Sequence, residues 1–465
     1  MRLKNKSKIF IAAMLTICIV ACTKKLDVEP RQTIDAAKAL ETPEDVDGAM
    51  VGAYSIMGGG ALYGTNLLLV PEIQASTYPA TEAYASWRGT FTGFQQIGRK
   101  TMNRDNGEAV RIWTAGYAAI NMANTVLLAL PVVTDVDQKN TLEGEALFVR
   151  GIMHFELVRL YALPWGATAA NDHLGIVIKT TATKTEEAAF TKIPRSTVAQ
   201  VYAQVITDLT AAIAKLPDDN GTRADKYTAE AFLAKVYLQQ SDFAKARDAA
   251  NAVIQSGKYS MNAAVRAVFD NKNTNESIFE IQQNDQNNAG NSNDGMATFF
   301  ASRPGIGRAD VRVAPTFRAT YDPNDQRYIQ WYEIGTGLRP GNTYSSKWVS
   351  FSQNLPVVRI AEMYLIRAET NIRLGTVVGD TPANDLAKVR NPVRTNLPVI
   401  LAPTLQDVLN ERAFELAFEG FKIHEIKRLK QTFGAYAWND PRLVLPIPQR
   451  EVDATEGVIV QNPGY

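Results

Sequence analysis

The feature that most constrains the fold is a segment whose apolar pattern predicts two helices packed as a hairpin. Residues 228–259, TAEAFLAKVYLQQSDFAKARDAANAVIQSGKY, carry apolar residues at helical spacing on both sides of a Ser-Asp turn. Gly257 is the expected C-terminal stop. In a tetratricopeptide repeat, residues at a fixed spacing form the contact between the first helix, through its small residue, and the second helix. Four residues have that spacing here: Leu233, Ala234, Tyr237 and Ala246. Ala250 stands where the pattern has a bulky residue, so the match is partial.

The same periodicity recurs along most of the chain. A helix is predicted over residues 38–57, where Thr42-Pro43-Glu44 is a start signal and a Gly-Gly-Gly stretch is the stop. Helix pairs are predicted over residues 111–161, 196–256 and 356–429. We therefore predict a mainly α fold built of about four tetratricopeptide-like helix pairs.

Two segments interrupt the helical pattern, at about residues 74–107 and 260–355. The first is polar and aromatic with little periodicity, and irregular excursions of this length are usually functional or disordered. Within the second, residues 275–295 begin as a strand-like run and continue as an Asn-rich loop. Residues 328–351 alternate aromatic and polar side chains between Gly and Pro turns, which predicts short strands. These insertions predict an irregular, loop-rich half beside the helices.

The N-terminus reads as an export signal. Residues 1–8 hold four basic residues and no acidic one, and residues 9–21 are apolar apart from Thr16. Thirteen residues are too few for a membrane-spanning helix, which needs roughly 20, but they fit the apolar core of a signal peptide. Ile19-Val20-Ala21-Cys22 resembles a bacterial lipobox, in which Cys22 is acylated and becomes the first mature residue. A plain signal peptide with an incidental cysteine is the alternative.

The predicted mature chain begins with a polar spacer over residues 22–35, and residues 36–465 are predicted to form one domain. Removal of the leader takes away four basic residues, which leaves 45 basic against 48 acidic side chains. No basic patch indicates nucleic acid. Cys22 is then the only cysteine, so no disulfide within the chain is expected.

Catalytic motifs are scarce in the sequence. The chain has three histidines, with no H-E-x-x-H and no G-x-S-x-G motif. We therefore predict no catalytic residue, no metal and no cofactor. Carboxylate pairs of the glycosidase type stay open, because 48 acidic residues allow many combinations.

Three segments near the C-terminus resemble the closing signatures of the SusD/RagB family. They are LPVVRIAEMYLIRAETNIRLG (355–375), TLQDVLNERAFELAFEGFKIHEIKRLK (404–430) and LVLPIPQREVDATEGVIVQNPGY (443–465). KKLDVEP behind Cys22 and GEALFVRGIMHFELVRLYALPWG also fit, in order. One segment departs from the family: RNPVR at 390–394 lacks the Ala-Gly of the corresponding L-N-x-[IV]-R-x-R-A-G stretch.

The resemblance implies a surface-exposed lipoprotein of the outer membrane, with four tetratricopeptide-like helix pairs and an irregular ligand-binding half. Such a protein captures oligosaccharides, or in some members peptides or other nutrients, for import through a SusC-like TonB-dependent transporter. It is not an enzyme. The alternatives from other classes are a tetratricopeptide-type protein-interaction scaffold and a glycoside hydrolase.

Candidate ligand-binding residues lie in the two irregular segments, because aromatic faces with amide and guanidinium partners suit sugars. The first group is Tyr78, Tyr84, Trp87 and Arg88, of which Trp87 is the strongest individual candidate. The second group is Asn287, Asn288, Asn291, Phe300, Arg303, Trp331, Tyr332 and Tyr344. The alternative for each aromatic residue is local packing of a long loop.

One acidic column on a predicted helix invites a catalytic interpretation. Glu411, Glu415 and Glu419 are spaced four residues apart, and like charges in such a column repel unless they are paired. We predict a structural ion-pair lattice instead, with these candidate partners: Arg359, Arg367, Arg412 and Lys422.

Overall fold

The computed structural model describes residues 40–465. The predictions for the leader, for Cys22 and for the spacer up to residue 35 lie outside the described residues.

Eight helices of eleven or more residues form the frame of the described part. They are α1 (Pro43–Met57), α2 (Gly107–Ala129), α3 (Val136–Tyr161), α4 (Val198–Lys215), α5 (Lys226–Gln240), α6 (Phe243–Gln255), α7 (Ile360–Leu374) and α8 (Leu405–Glu415). Each packs against the helix before it and the helix after it in this order. The prediction of a mainly α fold with four tetratricopeptide-like pairs is confirmed. The pairs begin one helix earlier than predicted, with α1 against α2.

The predicted start and stop signals operate at these helix ends. Thr42 accepts a hydrogen bond from the backbone N of Asp45 at 3.2 Å and completes a capping box at α1. The turn between α5 and α6 places Ser241 in the left-handed region, with φ of 61°, and Asp242 caps α6. Gly257 follows the end of α6 at φ of 68°. The sharp Ser-Asp turn therefore folds the two helices back on each other.

The remaining helices are short. Those of α type are Asn66–Gln74, Thr92–Arg99, Glu186–Ala189, Ala267–Asp270, Met296–Phe300, Pro315–Arg318, Gln326–Gln330, Pro382–Val389, Pro392–Thr395, Lys422–Arg428 and Gln449–Ala454. Leu130–Val132, Gly290–Ser292 and Pro441–Leu443 are 3-10 turns. Two of the observed helices differ from the sequence-based prediction. The segment at 74–107 contains the helix Thr92–Arg99. The helix predicted to carry Glu411, Glu415 and Glu419 ends at Glu415, because Phe418 and Gly420 adopt positive φ.

Six short strands pair in three antiparallel ribbons. The strands are β1 (Ala85–Trp87), β2 (Ser277–Ile281), β3 (Val311–Val313), β4 (Tyr332–Ile334), β5 (Thr343–Ser345) and β6 (Leu355–Arg359). β1 pairs with β3, β2 with β6, and β4 with β5. Tyr332 lies opposite Ser345, so the alternating segment at 328–351 forms the expected strands as a hairpin.

The helix Gly107–Val132 is long and apolar enough to cross a membrane by length and composition alone. It packs between α1 and α3, and its buried residues include Ile112, Trp113 and Ile120. This is the packing of a core helix in a helical array.

The QNPGY terminus is fixed to the first half of the chain. The side-chain amide of Asn462 donates to the backbone oxygens of Tyr161 and Leu445, at 2.7 and 2.8 Å. Arg195 donates to the side-chain oxygen of Asn462 at 2.8 Å and to the backbone oxygen of Val460 at 2.9 Å. The C-terminal signature therefore joins the end of α3 to the segment that leads into α4.

The acidic column is the centre of a buried ion-pair lattice, as predicted. The carboxylate of Glu415 accepts hydrogen bonds from Arg359 at 2.9 Å, from Arg327 at 3.0 Å and from Arg394 at 2.7 and 3.0 Å. Burial opposes the charged form, but Arg394, Arg359 and Arg327 together hold the pKa of Glu415 well below its usual range. Lys347 pairs with Glu419 at 2.6 Å. The carboxylates of Glu415 and Glu419 are therefore paired with buried cations and have a structural role.

Only one of the predicted lattice partners, Arg359, contacts the acidic column. Arg367 pairs with Asp385 instead, and Arg412 pairs with Glu362. Arg394 belongs to the RNPVR segment that departs from the family pattern. This segment therefore still contributes one of the three arginines that pair with Glu415.

Candidate functional site

A cleft of about 580 Å³ opens between the helical array and the insertion at 260–355, called here the Asn-rich insertion after its loop within 275–295. Its walls come from the C-terminal end of α1, the first turns of α2, the loop after α4, and β2 with the loop that follows it. The lining residues with polar side chains are Tyr54, Ser55, Arg111, Thr222, Arg223, Glu280, Gln282, Gln283, Asn287, Asn288, Ser292 and Asp294. A volume of this size suits a ligand of a few sugar rings.

Glycines bring one wall of the cleft close to the other. The Gly-Gly-Gly stretch at 58–60 ends α1, as predicted, and also lines the cleft. A Cβ added to Gly60 would lie 2.5 Å from a carboxylate oxygen of Asp294, and one added to Gly58 would lie 3.1 Å from Ile281. A larger residue at either position therefore requires the side chain of Asp294 or of Ile281 to shift.

Arg111 bridges the two walls. Its guanidinium pairs with Glu108 on its own helix at 2.8 Å and with Asp294 in the insertion at 2.6 Å. Burial opposes the charged form, but Asp294 and Glu108 raise the pKa of Arg111. The side chain is 42% exposed, so it is fixed in orientation and still reaches solvent.

Arg223 is held in the same way on the opposite side. It donates to Glu145 at 2.6 Å and to Asp47 at 2.6 Å. The hydroxyl of Tyr54 also donates to Glu145, at 3.2 Å. Burial raises the pKa of Glu145, and the bonds to Arg223 oppose that shift. A buried carboxylate thus orients one guanidinium and one phenol that both line the cleft.

The Asn-rich loop uses its amides mainly to hold itself. Asn288 donates to the backbone oxygen of Asn284 at 2.8 Å, and Asn291 donates to that of Asp285 at 2.9 Å. Asn287 is exposed on the cleft wall, and its side chain bonds no other residue within 40–465. Among the loop amides, Asn287 is therefore free to bind a ligand.

Six of the seven predicted stacking rings are buried, so the expectation that they present open faces is wrong. They are Tyr84, Trp87, Phe300, Trp331, Tyr332 and Tyr344. Trp87 is 4% exposed, and its ring centroid lies 4.6 Å from that of Phe94 and 5.2 Å from that of Phe299. The physical reason is that long insertions with little regular structure must also pack onto the apolar core, and aromatic rings supply the apolar surface for this.

Specific contacts explain this burial. The indole of Trp331 lies 3.9 Å from the ammonium of Lys347. Tyr84 stacks on Phe418 with centroids 4.9 Å apart. The hydroxyl of Tyr344 donates to a backbone oxygen at 2.9 Å. These rings fix the loops rather than offer a platform.

The other predicted residues remain at the surface. The guanidinium of Arg88 lies 3.8 Å from the ring centroid of Tyr78 and pairs with Glu82. Arg303 pairs with Glu333 at 2.6 Å. None of these lines the cleft, whereas Asn288 does.

Sequence reasoning missed the cleft residues Arg111 and Arg223. Both belong to segments that were assigned to the helical frame, where a charged residue signals only a solvated face. The Gly-Gly-Gly stretch was the available signal, because three glycines exceed what a helix stop requires.

Two family models match the chain. One, described as starch-binding associating with outer membrane, matches residues 25–238, and the SusD family model matches residues 330–443. SusD-like protein P2 of Formosa agariphila is 25% identical over 521 residues, covering 98% of this chain and 99% of the relative.

Solved structures share the fold. A SusD superfamily protein from Bacteroides thetaiotaomicron superposes with a TM-score of 0.80 at 25% identity, over 91% of this chain and 100% of that one. A laminarin-binding SusD-like protein superposes with a TM-score of 0.75 at 21% identity, over 91% and 100%.

The helical array with its irregular insertions is the architecture that these SusD superfamily structures share. The chain belongs to the SusD/RagB family.

Proposed function

We propose that this protein captures an extracellular oligosaccharide in the cleft between the helical array and the Asn-rich insertion. A SusC-like TonB-dependent transporter then takes up the ligand through the outer membrane, and acylated Cys22 holds the protein at the cell surface. The observation that carries the proposal is the cleft itself, whose guanidinium groups are oriented in advance by buried or half-buried carboxylates.

The chemistry of capture is hydrogen bonding to sugar hydroxyls. Arg111 and Arg223 present donors whose positions are already fixed, so little side-chain entropy is lost on binding. Asn287 supplies an amide donor and acceptor at the rim. Tyr54 supplies an aromatic edge. Binding is reversible and requires no covalent step.

The carboxylates of the cleft support a binding role over hydrolysis. A glycosidase needs an acid and a base or nucleophile about 5–9.5 Å apart and free to act. Asp294 is paired with Arg111 at 2.6 Å, and Glu280 accepts from Asn354 at 2.8 Å and from the backbone N of Asn273 at 2.9 Å. The tetratricopeptide scaffold reading is compatible with capture, since the helices are the expected contact surface for the transporter.

Isothermal titration of the protein with laminarin oligosaccharides and malto-oligosaccharides tests the proposal. Asn287→Ala removes a rim amide that bonds no other residue within 40–465, worth about 1 kcal/mol, and is expected to weaken binding about fivefold. Gln286→Ala is the matched control, because Gln286 is exposed in the same loop and does not line the cleft. Equal affinity for all three proteins would place the ligand elsewhere, and release of shorter sugars would support hydrolysis instead.

The cellular part of the proposal has a separate test. Cys22→Ser is expected to shift the protein from the membrane fraction to the soluble fraction while its affinity for the oligosaccharide stays unchanged. Retention in the membrane fraction would contradict the lipid anchor, and failure to co-purify a transporter from detergent-solubilised membranes would contradict the partnership.

A further inference from the structure

A pair of neighbouring cavities lies beside the short helix Lys422–Arg428, away from the 580 Å³ cleft. A small cavity of about 20 Å³ is lined by Arg159, His424, Lys427 and Arg428, with Trp165 and Gln239 beside them. A neighbouring cavity of about 270 Å³ shares Trp165, Gln239 and Arg428, and adds Lys430. Neither shares a lining residue with the 580 Å³ cleft.

Polar atoms in the small cavity lack partners. Lys427 is 3% exposed, and its ammonium makes no hydrogen bond within the described residues. The same holds there for Nε2 of His424, which is 2% exposed, and for Nε of Arg159. Buried donors are normally satisfied, and an unpaired buried cation is costly. Two unpaired donors, Lys427 Nζ and Arg159 Nε, line one cavity beside an unpaired imidazole nitrogen, which indicates a missing acceptor.

The charge around the two cavities has one sign. Every charged side chain that lines them is a cation, and no aspartate or glutamate does so. Arg159 is neutralised by Glu156, and Arg428 by Glu369 at 2.6 Å and Glu425 at 2.7 Å. Lys427 has no such partner in the described part of the chain. Burial, and then the charge of Arg159, lower its pKa to about 7.

The larger cavity adjoins the small one through three shared lining residues and has a further cation, Lys430, at its rim. Lys430 is exposed, and its ammonium lies 5.1 Å from the ring centroid of Trp438. A Cβ added to Gly166 would lie 3.4 Å from that ammonium, so the lysine covers the glycine. Trp165 is half-buried and presents an apolar edge, and Gln239 contributes an amide.

We propose that this pair of cavities binds a small oxyanion, with a carboxylate, sulfate or phosphate oxygen at the ammonium of Lys427 and the body of the ligand in the larger cavity. The volume of that cavity, about 270 Å³, accommodates a single sugar-sized acid or an inorganic anion. Charge-assisted hydrogen bonds from Lys427, Arg159 and Lys430 would satisfy the unpaired donors.

The experiment is isothermal titration calorimetry at constant ionic strength with sodium sulfate, sodium phosphate and sodium galacturonate. Neutral galactose is the uncharged control. Saturable binding of at least one anion and none of galactose is expected. Galacturonate binding alone assigns the site to an acid carried on a sugar, whereas sulfate or phosphate binding alone assigns it to a free inorganic anion. No saturable binding of any anion overturns the proposal.

Three variants locate the site. Lys427→Met removes the buried charge and is expected to abolish binding, and Lys430→Met, at an exposed position, is expected to weaken it tenfold. Lys388→Met changes an exposed lysine at the end of another helix and should leave it unchanged.

Folding of each variant is checked by its thermal midpoint without anion. Lys427→Met should be at least as stable as wild type there, because it removes an unpaired buried charge. Binding that survives Lys427→Met, or that responds equally to Lys388→Met, overturns the proposal.

Discussion

Replacement of Glu415 by glutamine tests how much the buried ion-pair lattice contributes to the fold. The carboxylate receives four charge-assisted hydrogen bonds, two from Arg394 and one each from Arg327 and Arg359. Glutamine keeps the shape, but its amide nitrogen would face guanidinium donors and its charge is gone. Three buried arginines then share fewer counter-charges.

The expected loss is that of a broken buried pair, about 3–5 kcal/mol. A chain of this length has an unfolding entropy of about 0.9 kcal/mol/K at roughly 2.1 cal/mol/K per residue, so the midpoint should fall by about 3–6 °C. Differential scanning calorimetry measures both the midpoint and whether the transition is two-state.

Acid supplies a second signature. The pKa of Glu415 is held below its usual range in the folded protein, so its contribution is complete above the unfolded value of about 4.3 and is lost as pH falls through the folded value. The gap in midpoint between wild type and Glu415→Gln should therefore shrink as pH drops from 5 toward 3.

Glu143→Gln is the matched control. Glu143 pairs with Lys215 at 2.9 Å on the surface, with its side chain 30% exposed, so the loss should stay below about 1 kcal/mol. If Glu415→Gln costs no more than this control, or if the gap is constant with pH, the lattice does not stabilise the fold as argued.

Two further substitutions separate structural from binding residues. Trp87→Ala should lower the free energy of unfolding by about 3–5 kcal/mol, because it empties a site packed on Phe94 and Phe299, and calorimetry on purified protein checks this. A fully stable Trp87→Ala protein that has lost its ligand would restore Trp87 as a binding residue. Gly60→Ala should weaken oligosaccharide binding in titration calorimetry, since its Cβ would lie 2.5 Å from Asp294; Gly48→Ala, with nothing within 4 Å, should leave affinity unchanged.

Much of the frame could be predicted from the sequence because helix signals are local. Caps such as Thr42 and stops such as Gly257 act within one turn, and apolar spacing reports which face is buried. The break after Glu415 was missed since it depends on the positive φ of Phe418 within a segment that otherwise keeps helical periodicity.

The site was harder to predict because it depends on contacts between distant segments. Arg111 meets Asp294, 183 positions away, and Arg223 meets Glu145, 78 positions away. The local sequence around an aromatic residue in a loop does not distinguish a ligand-binding ring from one that packs inward. Trp87 packs inward. The family resemblance supplied what local pattern lacks, namely the expectation of an irregular ligand-binding half.

Docking of the C-terminal signature is a late step of folding. Asn462 binds the backbone of Tyr161 across 301 positions, so the end of α3 is covered by a segment that lies far along the chain. Contacts of such separation form late, because the intervening chain must first be closed. The end of α3 therefore stays uncovered until the segment around Asn462 docks.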